Sequence, residues 1–203
     1  MRSIGFYWTL PVPWAGFTKL PKSVEDAAKI SRSIRYQVER IRRWVKDQNG
    51  TLFHEEVFLE TRADRGTSAI LPEVERLLAK ATALDASLVL VNFADAFNWR
   101  AHSPLWSRLE GEASVMALDP APLLMDGAWF TPVEHFRSWQ DINAAHSALK
   151  PSVKSELTTQ LRAMKDYGAS FAEIARVLNA EGVTTPNGKP WRADNLRKLM
   201  GEI

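Results

Sequence analysis

Hydrophobic residues in the first part of the chain fall into short continuous runs, separated by segments with a helical period. Four runs, at residues 2–10, 51–60, 86–93 and 113–119, have the length and composition of β-strands. The run ASLVLVNF at 86–93 is almost entirely apolar, which is typical of a central strand covered on both faces. Proline pairs follow the first and the last run and end them.

The segments between these runs predict helices. One apolar stripe with spacings of three and four begins after Ser23 and predicts a single helix that ends at Asn49-Gly50. The stripe consists of Ala27, Ile30, Ile34, Val38, Ile41 and Val45. A second amphipathic helix is predicted from Ile70 to Ala81 and a short one at 102–109. Because strands and helices alternate, we predict an α/β fold with a mainly parallel sheet flanked by helices.

After Pro132 the pattern is helical. Two helices are predicted first, at 133–149 and 152–168. We place a break and a domain boundary between them at Lys150-Pro151, because the residue before a proline disfavours the helical conformation.

The stretch 170–200 predicts two further short helices. Ser170 and Glu173 have the spacing of a capping box, in which each satisfies a free backbone N–H at a helix start. This helix is predicted to stop at Gly182, and Asn187-Gly188 favours a tight turn after it. The apolar face of the helix that starts at Ser170 consists of Ile174, Ala175 and Leu178. The last helix turns Leu196, Leu199 and Met200 inward and leaves Arg192, Asn195, Arg197 and Lys198 outside. Such short helices predict a helix-turn-helix domain whose final helix can enter a major groove.

Composition excludes several kinds of site. The chain has 203 residues and no cysteine, which excludes disulfide bonds and thiolate metal sites. The histidines His54, His102, His135 and His146 have no carboxylate at a metal-binding spacing, so we interpret them as isolated surface or core histidines and predict no metal. No GxGxxG or P-loop sequence supports a nucleotide cofactor. The chain lacks a signal-peptide pattern and a membrane-spanning apolar run, so we expect a cytoplasmic protein without a membrane partner.

Charge is unevenly distributed. The net charge is +2, yet residues 150–203 carry nine Lys and Arg against six Asp and Glu, a net of +3. Residues 22–46 hold eight basic residues and three acidic ones. The two segments either form one footprint for a polyanion or are two solvated helix faces.

The C-terminal pattern resembles the DNA-binding region that follows the catalytic domain in many serine recombinases. The matching residues, in order, are Gly168, Ile174-Ala175, Leu178-Asn179, Gly182-Val183, Thr185 to Gly188, and Trp191. The order of strands and helices before it is similar to the catalytic domain of the same family. The resemblance implies a resolvase-like α/β domain at 1–122, a connecting helical segment at 123–150 and a helix-turn-helix domain at 151–203. The connecting segment is expected to be shorter than the family's long dimerising helix.

The resemblance also implies that the catalytic residues are replaced. Trp8 and Leu10 stand where the family has an arginine and the nucleophilic serine, and Ala96 and Trp99 stand where it has two arginines. Strand cleavage needs fixed cations that stabilise the transition-state charge on the phosphate, and apolar side chains supply none. We therefore expect no enzymatic activity. The alternative is a recombinase whose nucleophile has moved to Thr9.

We expect the chain to bind double-stranded DNA and to regulate transcription or modulate a mobile element. Lys189, Arg192 and Lys198 are the candidates for phosphate contacts, and Asn195 and Arg197 for base contacts. Arg62 and Arg65 are either residual phosphate contacts or part of a solvated loop. A homodimer is expected, because one helix-turn-helix seldom reaches useful specificity alone. The competing hypothesis is a protein-interaction module, in which the α/β domain binds a protein partner through an apolar patch of Trp14, Trp99 and Trp106.

Overall fold

The computed structural model describes residues 1–94, 102–166, 168–185 and 189–201, without the side chains of residues 143 and 145–156. The chain divides into two compact units. The first consists of Met1–Val12 and Phe17–Arg137, and the second of Pro13–Gly16 and Ser138–Ile203. The domain limits implied by the resemblance stay predictions.

The first unit is built on a parallel sheet of four strands. Its strands are β1 (Arg2–Thr9), β2 (Thr51–Leu59), β3 (Ser87–Val91) and β4 (Val115–Leu118), in the order β2-β1-β3-β4. The strand β1 pairs with β2 over its whole length, whereas it pairs with β3 only from Ser3 to Gly5. All four predicted strands are confirmed, and with them the α/β fold class.

Helices flank this sheet. They are α1 (Val24–Ile30), α2 (Arg32–Asp47), α3 (Leu71–Leu84) and α4 (Ser103–Leu109). The apolar residues of α3 that point inward are Val74, Leu77, Leu78 and Ala81, and all four are buried. The predicted helices at Ile70 to Ala81 and at 102–109 are therefore confirmed, with limits that differ by a few residues.

The single helix predicted after Ser23 is wrong, because Ser31 divides it into α1 and α2. Ser31 has an extended backbone (φ −129°, ψ 109°). Its N–H donates to the carbonyl of Ala27 and ends α1, while its hydroxyl accepts from the N–H of Ile34 and starts α2. Ile30, at the end of α1, is consequently 55% exposed instead of buried.

Residues 123–130 form a β-hairpin rather than the predicted helical segment. Its strands β5 (Leu123–Met125) and β6 (Ala128–Phe130) are antiparallel. The turn between them uses Asp126 at φ 52° and Gly127 at φ 76°, a conformation that Asp-Gly favours. The hairpin is tied to α2, since Arg35 pairs with Asp126 at 2.5 Å.

The helix α5 (Pro132–Asp166) is continuous over 35 residues. The break predicted at Lys150-Pro151 is therefore wrong, whereas the comparison of the connecting segment with the family's dimerising helix stays a prediction. The restriction that a proline places on the preceding residue is a preference, and helical turns on both sides propagate cooperatively through such a position. Among the described residues, no helix is long and apolar enough to cross a membrane.

Candidate nucleic-acid interface

Two helices follow α5 in the second unit, α6 (Phe171–Ala180) and α7 (Ala193–Met200). The predicted capping box at the start of α6 is confirmed. The Ser170 hydroxyl accepts from the N–H of Glu173 at 3.2 Å, and the Glu173 carboxylate accepts from the N–H of Ser170 at 2.8 Å. The N–H and the hydroxyl of Ser170 both donate to the Glu173 carboxylate, and these two bonds lower the pKa of Glu173 below its usual value.

A small hydrophobic core holds the end of α5, α6 and α7 together. Its buried members are Leu161, Phe171, Ile174, Ala175, Leu178, Trp191 and Leu196. Leu199 and Met200 pack against this core and are half-buried. The inward faces predicted for the two short helices are thus confirmed. Because the inward face of α7 is fixed by this core, its outward face is fixed as well.

The segment before α7 is clamped by Asn179, a contact that the sequence analysis missed. The Asn179 side chain accepts from the N–H of Trp191 at 2.7 Å and donates to the carbonyl of Trp191 at 3.0 Å. One side-chain amide thus satisfies both backbone groups of a residue twelve positions away. The Trp191 side chain itself is buried. This explains why an asparagine and a tryptophan are both part of the C-terminal pattern.

The connection between α6 and α7 runs from Glu181 to Arg192 and is longer than the short turn of a simple helix-turn-helix. Gly182 has a φ of 73°, as expected for a glycine just after a helix. Further along, the N–H of Thr185 donates to the carbonyl of Lys189 at 2.8 Å, and the N–H of Lys189 donates to the Thr185 hydroxyl at 3.1 Å. The turn predicted at Asn187-Gly188 lies outside the described residues.

All five predicted DNA-contact residues are exposed. They are Lys189, Arg192, Asn195, Arg197 and Lys198. Arg197 pairs with Asp194 at 2.8 Å. Among the residues that the structure describes, Lys189, Arg192 and Lys198 form no ion pair. The outward face of α7 and the residues just before it therefore present unneutralised positive charge to solvent, which is the property that phosphate binding requires.

The ring of Phe171, at the start of α6, lies close to two cations. The Lys165 ammonium, in the last turn of α5, lies 4.6 Å from the ring centroid. The Arg197 guanidinium, on α7, lies 5.9 Å from the same centroid. Lys165 was not among the predicted contact residues, because no local pattern relates it to α7.

Arg62 and Arg65 lie on the loop after β2, in the first unit. Their side chains are 58% and 61% exposed, and both are close to Asp64. Arg65 pairs with it at 2.9 Å. Their role as phosphate contacts stays a prediction.

Half of the eight basic residues at 22–46 form ion pairs within the described chain. Arg42 pairs with Glu55 and Glu25, and Arg43 pairs with Glu39. Arg35 and Lys29 also pair with acidic neighbours. Fewer charges are therefore available there for a polyanion than the sequence count suggests.

Trp8 and Leu10, which the resemblance sets against catalytic residues of serine recombinases, lie in the core of the first unit. Trp8 is 1% exposed and Leu10 is 2% exposed. Trp8 meets the rings of Phe93 and His102 edge-on, at centroid distances of 6.1 Å and 4.8 Å. Ala96 and Trp99 lie outside the described residues.

The hydroxyl of Thr9, the alternative nucleophile, is also inside the protein. Thr9 is 3% exposed, and its Oγ1 lies 2.8 Å from the hydroxyl oxygen of Ser33. Next to Thr9, the side chain of Gln37 in α2 bonds to the backbone of β1. It does so where β1 no longer pairs with β3. The N–H of Trp8 donates to the Gln37 side chain at 3.1 Å, which in turn donates to the carbonyl of Trp8 at 2.8 Å.

The interpretation of the histidines as isolated is wrong for His102 and His54, which pair with carboxylates. His102 Nε2 lies 2.7 Å from Glu60 Oε1, and both side chains are fully buried. His54 pairs with Glu56 at 2.9 Å, and His135 packs against the Phe130 ring. The side chain of His146 is not described. Nothing in the sequence predicts the Glu60–His102 pair, because its members are 42 positions apart.

The Glu60–His102 pair fixes one tautomer of the imidazole. The N–H of Leu105 donates to His102 Nδ1 at 3.3 Å, so Nε2 carries the proton and donates to Glu60. Burial raises the pKa of Glu60, but hydrogen bonds from His102 and Thr67 outweigh it, and the net pKa is below the ordinary 4.5. Within the described part of the chain, no three His, Asp or Glu side chains are grouped as metal ligands.

The tryptophans proposed as an apolar patch have different environments. Trp14 packs against Trp139 in the second unit, at a centroid distance of 5.6 Å. Trp106, in the first unit, is half-buried, and Trp99 lies outside the described residues. The most exposed large hydrophobic residue of the described chain is Trp129 on β6, at 71%.

Comparison with known proteins concerns the C-terminal region. No curated protein and no solved structure matches the chain. Residues 153–201 match the family model described as Recombinase. The matched residues include the end of α5, α6, the Asn179–Trp191 clamp and α7. The C-terminal helical region therefore relates this chain to the Recombinase family.

Proposed function

We propose that the chain binds duplex DNA through α7 and the residues just before it. The observation that carries this proposal is the exposed, unpaired charge of Lys189, Arg192 and Lys198 within the region that matches the Recombinase family. Lys189, Arg192 and Lys198 contact phosphates, while Asn195 and Arg197 reach base edges.

We further propose that the first unit is a degenerate serine-recombinase domain that does not cleave DNA. The burial of Trp8 and Leu10 supports this, because a phosphate cannot approach side chains with 1% and 2% exposure. The hydrogen bond between Thr9 and Ser33 supports it too, since a buried hydroxyl is unavailable to DNA. The chain then acts by occupying a DNA site, as a transcriptional regulator or a modulator of a mobile element.

The first experiment is genome-wide capture of DNA bound to the full chain, with the Arg192→Ala/Arg197→Ala variant in parallel. The proposal expects a few sharp peaks that disappear in the double variant. A charge-matched control is Lys22→Ala/Lys46→Ala, which removes two exposed cations from the first unit. Loss of the same peaks in that control would show that α7 is not the principal contact. A flat profile for the unaltered chain would contradict DNA-site binding.

The absence of cleavage needs a separate test. The chain is incubated with captured target duplex and then run on a denaturing gel. We expect no covalent protein–DNA adduct. An adduct that disappears in Thr9→Ala would overturn the non-catalytic part of the proposal and leave DNA binding intact.

A further inference from the structure

An acidic residue occupies the centre of the outward face of α7. Successive residues of an α-helix are rotated by about 100°, so Asp194 and Lys198 both lie about 160° from the inward-pointing Leu196. Asn195 and Arg197 lie on the flanks, about 100° to either side. The Asp194 side chain is 77% exposed. A helix that contacts DNA with this face brings the Asp194 carboxylate to the DNA together with the Lys198 ammonium.

We propose that Asp194 determines the sequence preference of DNA recognition by selecting cytosine. This inference rests on the proposed function, and it adds a specificity residue that the charge pattern alone does not suggest. A carboxylate only accepts hydrogen bonds, and in the major groove cytosine presents the N4 amino donor. Guanine presents only acceptors there, and adenine places the N7 acceptor beside its amino group, so both fit a carboxylate less well.

Negative charge makes this selection stricter. A carboxylate near the phosphate backbone is repelled unless a hydrogen bond from a base compensates for it. Asp194 therefore weakens binding to sequences that lack the amino donor at the right position. Discrimination by such an unfavourable contact is a general route to specificity.

The contact between Asp194 and Arg197 supports this assignment. Asp194 Oδ1 accepts from Arg197 Nη1 at 2.8 Å, and the same guanidinium lies 5.9 Å from the Phe171 ring centroid. The Asp194 carboxylate and the Phe171 ring thus restrain the Arg197 guanidinium. This places a group that only donates hydrogen bonds beside one that only accepts them. An exposed pair of this kind adds little to stability. In the major groove, the Asp194–Arg197 pair orients both side chains toward the bases. Arg197 is then suited to a guanine next to the selected cytosine.

The structural alternative is that Asp194 only stabilises the start of α7. It is the acidic residue of the first turn, and the N-cap residue Arg192 provides no side-chain cap. A carboxylate at that place favours the helix through its dipole. This role changes the melting of the second unit, but it leaves the preference among bases unaltered.

The test is selection from a pool of duplexes with a random central sequence, followed by sequencing. The unaltered full chain is compared with Asp194→Asn, Asp194→Glu and Asp85→Asn. Asp85 is the charge-matched control, since it is exposed in the first unit and its φ of 48° is one that asparagine tolerates. We expect Asp194→Asn to retain more of the random pool. Its preference for cytosine at one position should fall by roughly tenfold, while Asp85→Asn keeps the original preference.

Every other outcome counts against the inference. An unchanged base preference in Asp194→Asn overturns it, even if overall retention of DNA rises. An equal change in Asp85→Asn overturns it too, as does an unaltered chain that retains duplex without enriching any sequence. Failure of every variant to retain duplex overturns the proposed function itself and is distinguishable from these results.

Discussion

The side-chain amide of Asn179 is hydrogen-bonded to both backbone groups of Trp191, at 2.7 Å and 3.0 Å. Only an amide supplies an acceptor and a donor in this arrangement. We expect Asn179→Asp to destabilise the second unit by about 1–3 kcal/mol, because the carboxylate cannot donate to the Trp191 carbonyl. Hydrogen exchange of the Trp191 and Leu196 amides measures this. The control is Asn195→Asp, a substitution at an exposed position on α7. In this variant the Trp191 and Leu196 amides should still exchange slowly.

The number of phosphate contacts can be obtained from the dependence of DNA affinity on salt concentration. Each neutralised phosphate contributes about 0.9 to the slope of log affinity against log salt concentration on duplex DNA. Arg192→Ala and Lys198→Ala should each reduce the slope by about one. Fluorescence anisotropy of a labelled duplex at four salt concentrations measures this. If Lys22→Ala reduces the slope as much, the contact surface includes the first unit.

Acidic pH should weaken the contribution of Glu60 to the free energy of unfolding. Its pKa is lower in the folded chain than the ordinary 4.5, so the folded state binds fewer protons than the unfolded state. The stabilisation is complete above about pH 4.5 and is lost as the pH falls through the lowered pKa. We expect the difference in free energy of unfolding between the unaltered chain and Glu60→Gln to shrink below about pH 4.5. Urea unfolding from pH 7 to pH 3 measures it, and a constant difference would contradict the expectation.

Gly66 leaves room for the imidazole of His102. A Cβ at this position would overlap the ring. We expect Gly66→Ala to cost about 1–3 kcal/mol, because the buried pair must shift. The urea midpoint measures the cost. In a His102→Ala background the same substitution should cost less, and equal costs in both backgrounds would show that the ring is not the obstacle.

The continuity of α5 through Pro151 can be tested by Pro151→Ala. Proline in a helix interior is less favourable than alanine by about 3 kcal/mol. We expect the variant to unfold at a higher temperature when it is monitored by ellipticity at the helical band. A lower unfolding temperature would indicate a break at Lys150-Pro151. Leu149→Ala is the neighbouring control for a change of side chain without a change of backbone.

Local patterns predicted the strands of the parallel sheet and several of the helices. Alternating strands and helices defined the parallel sheet, and the spacing of Ser170 and Glu173 defined the start of α6. The exposed face of α7 followed from its apolar residues. The Asp126-Gly127 turn was also present in the sequence, and its flanking residues could have predicted the hairpin.

Contacts between distant residues could not be predicted in the same way. The Glu60–His102 pair and the Asn179–Trp191 clamp depend on tertiary packing and have no local signal. The apolar stripe from Ala27 to Val45 was continuous enough to hide the break at Ser31, because a serine inside a helix and a serine between two helices look alike in one sequence. The counted charge at 22–46 could not show that Arg42 and Arg43 already have acidic partners.

The packing around Trp8 leaves little space for a charged side chain. An arginine at position 8 would enter a space that is 1% exposed and bordered by the rings of Phe93 and His102. The Gln37 amide already satisfies the backbone of that residue, and Glu60 already holds His102. A buried guanidinium without a partner costs several kcal/mol. An arginine at this position would therefore destabilise the first unit by several kcal/mol, and a charged pocket there would need simultaneous changes of the neighbouring side chains.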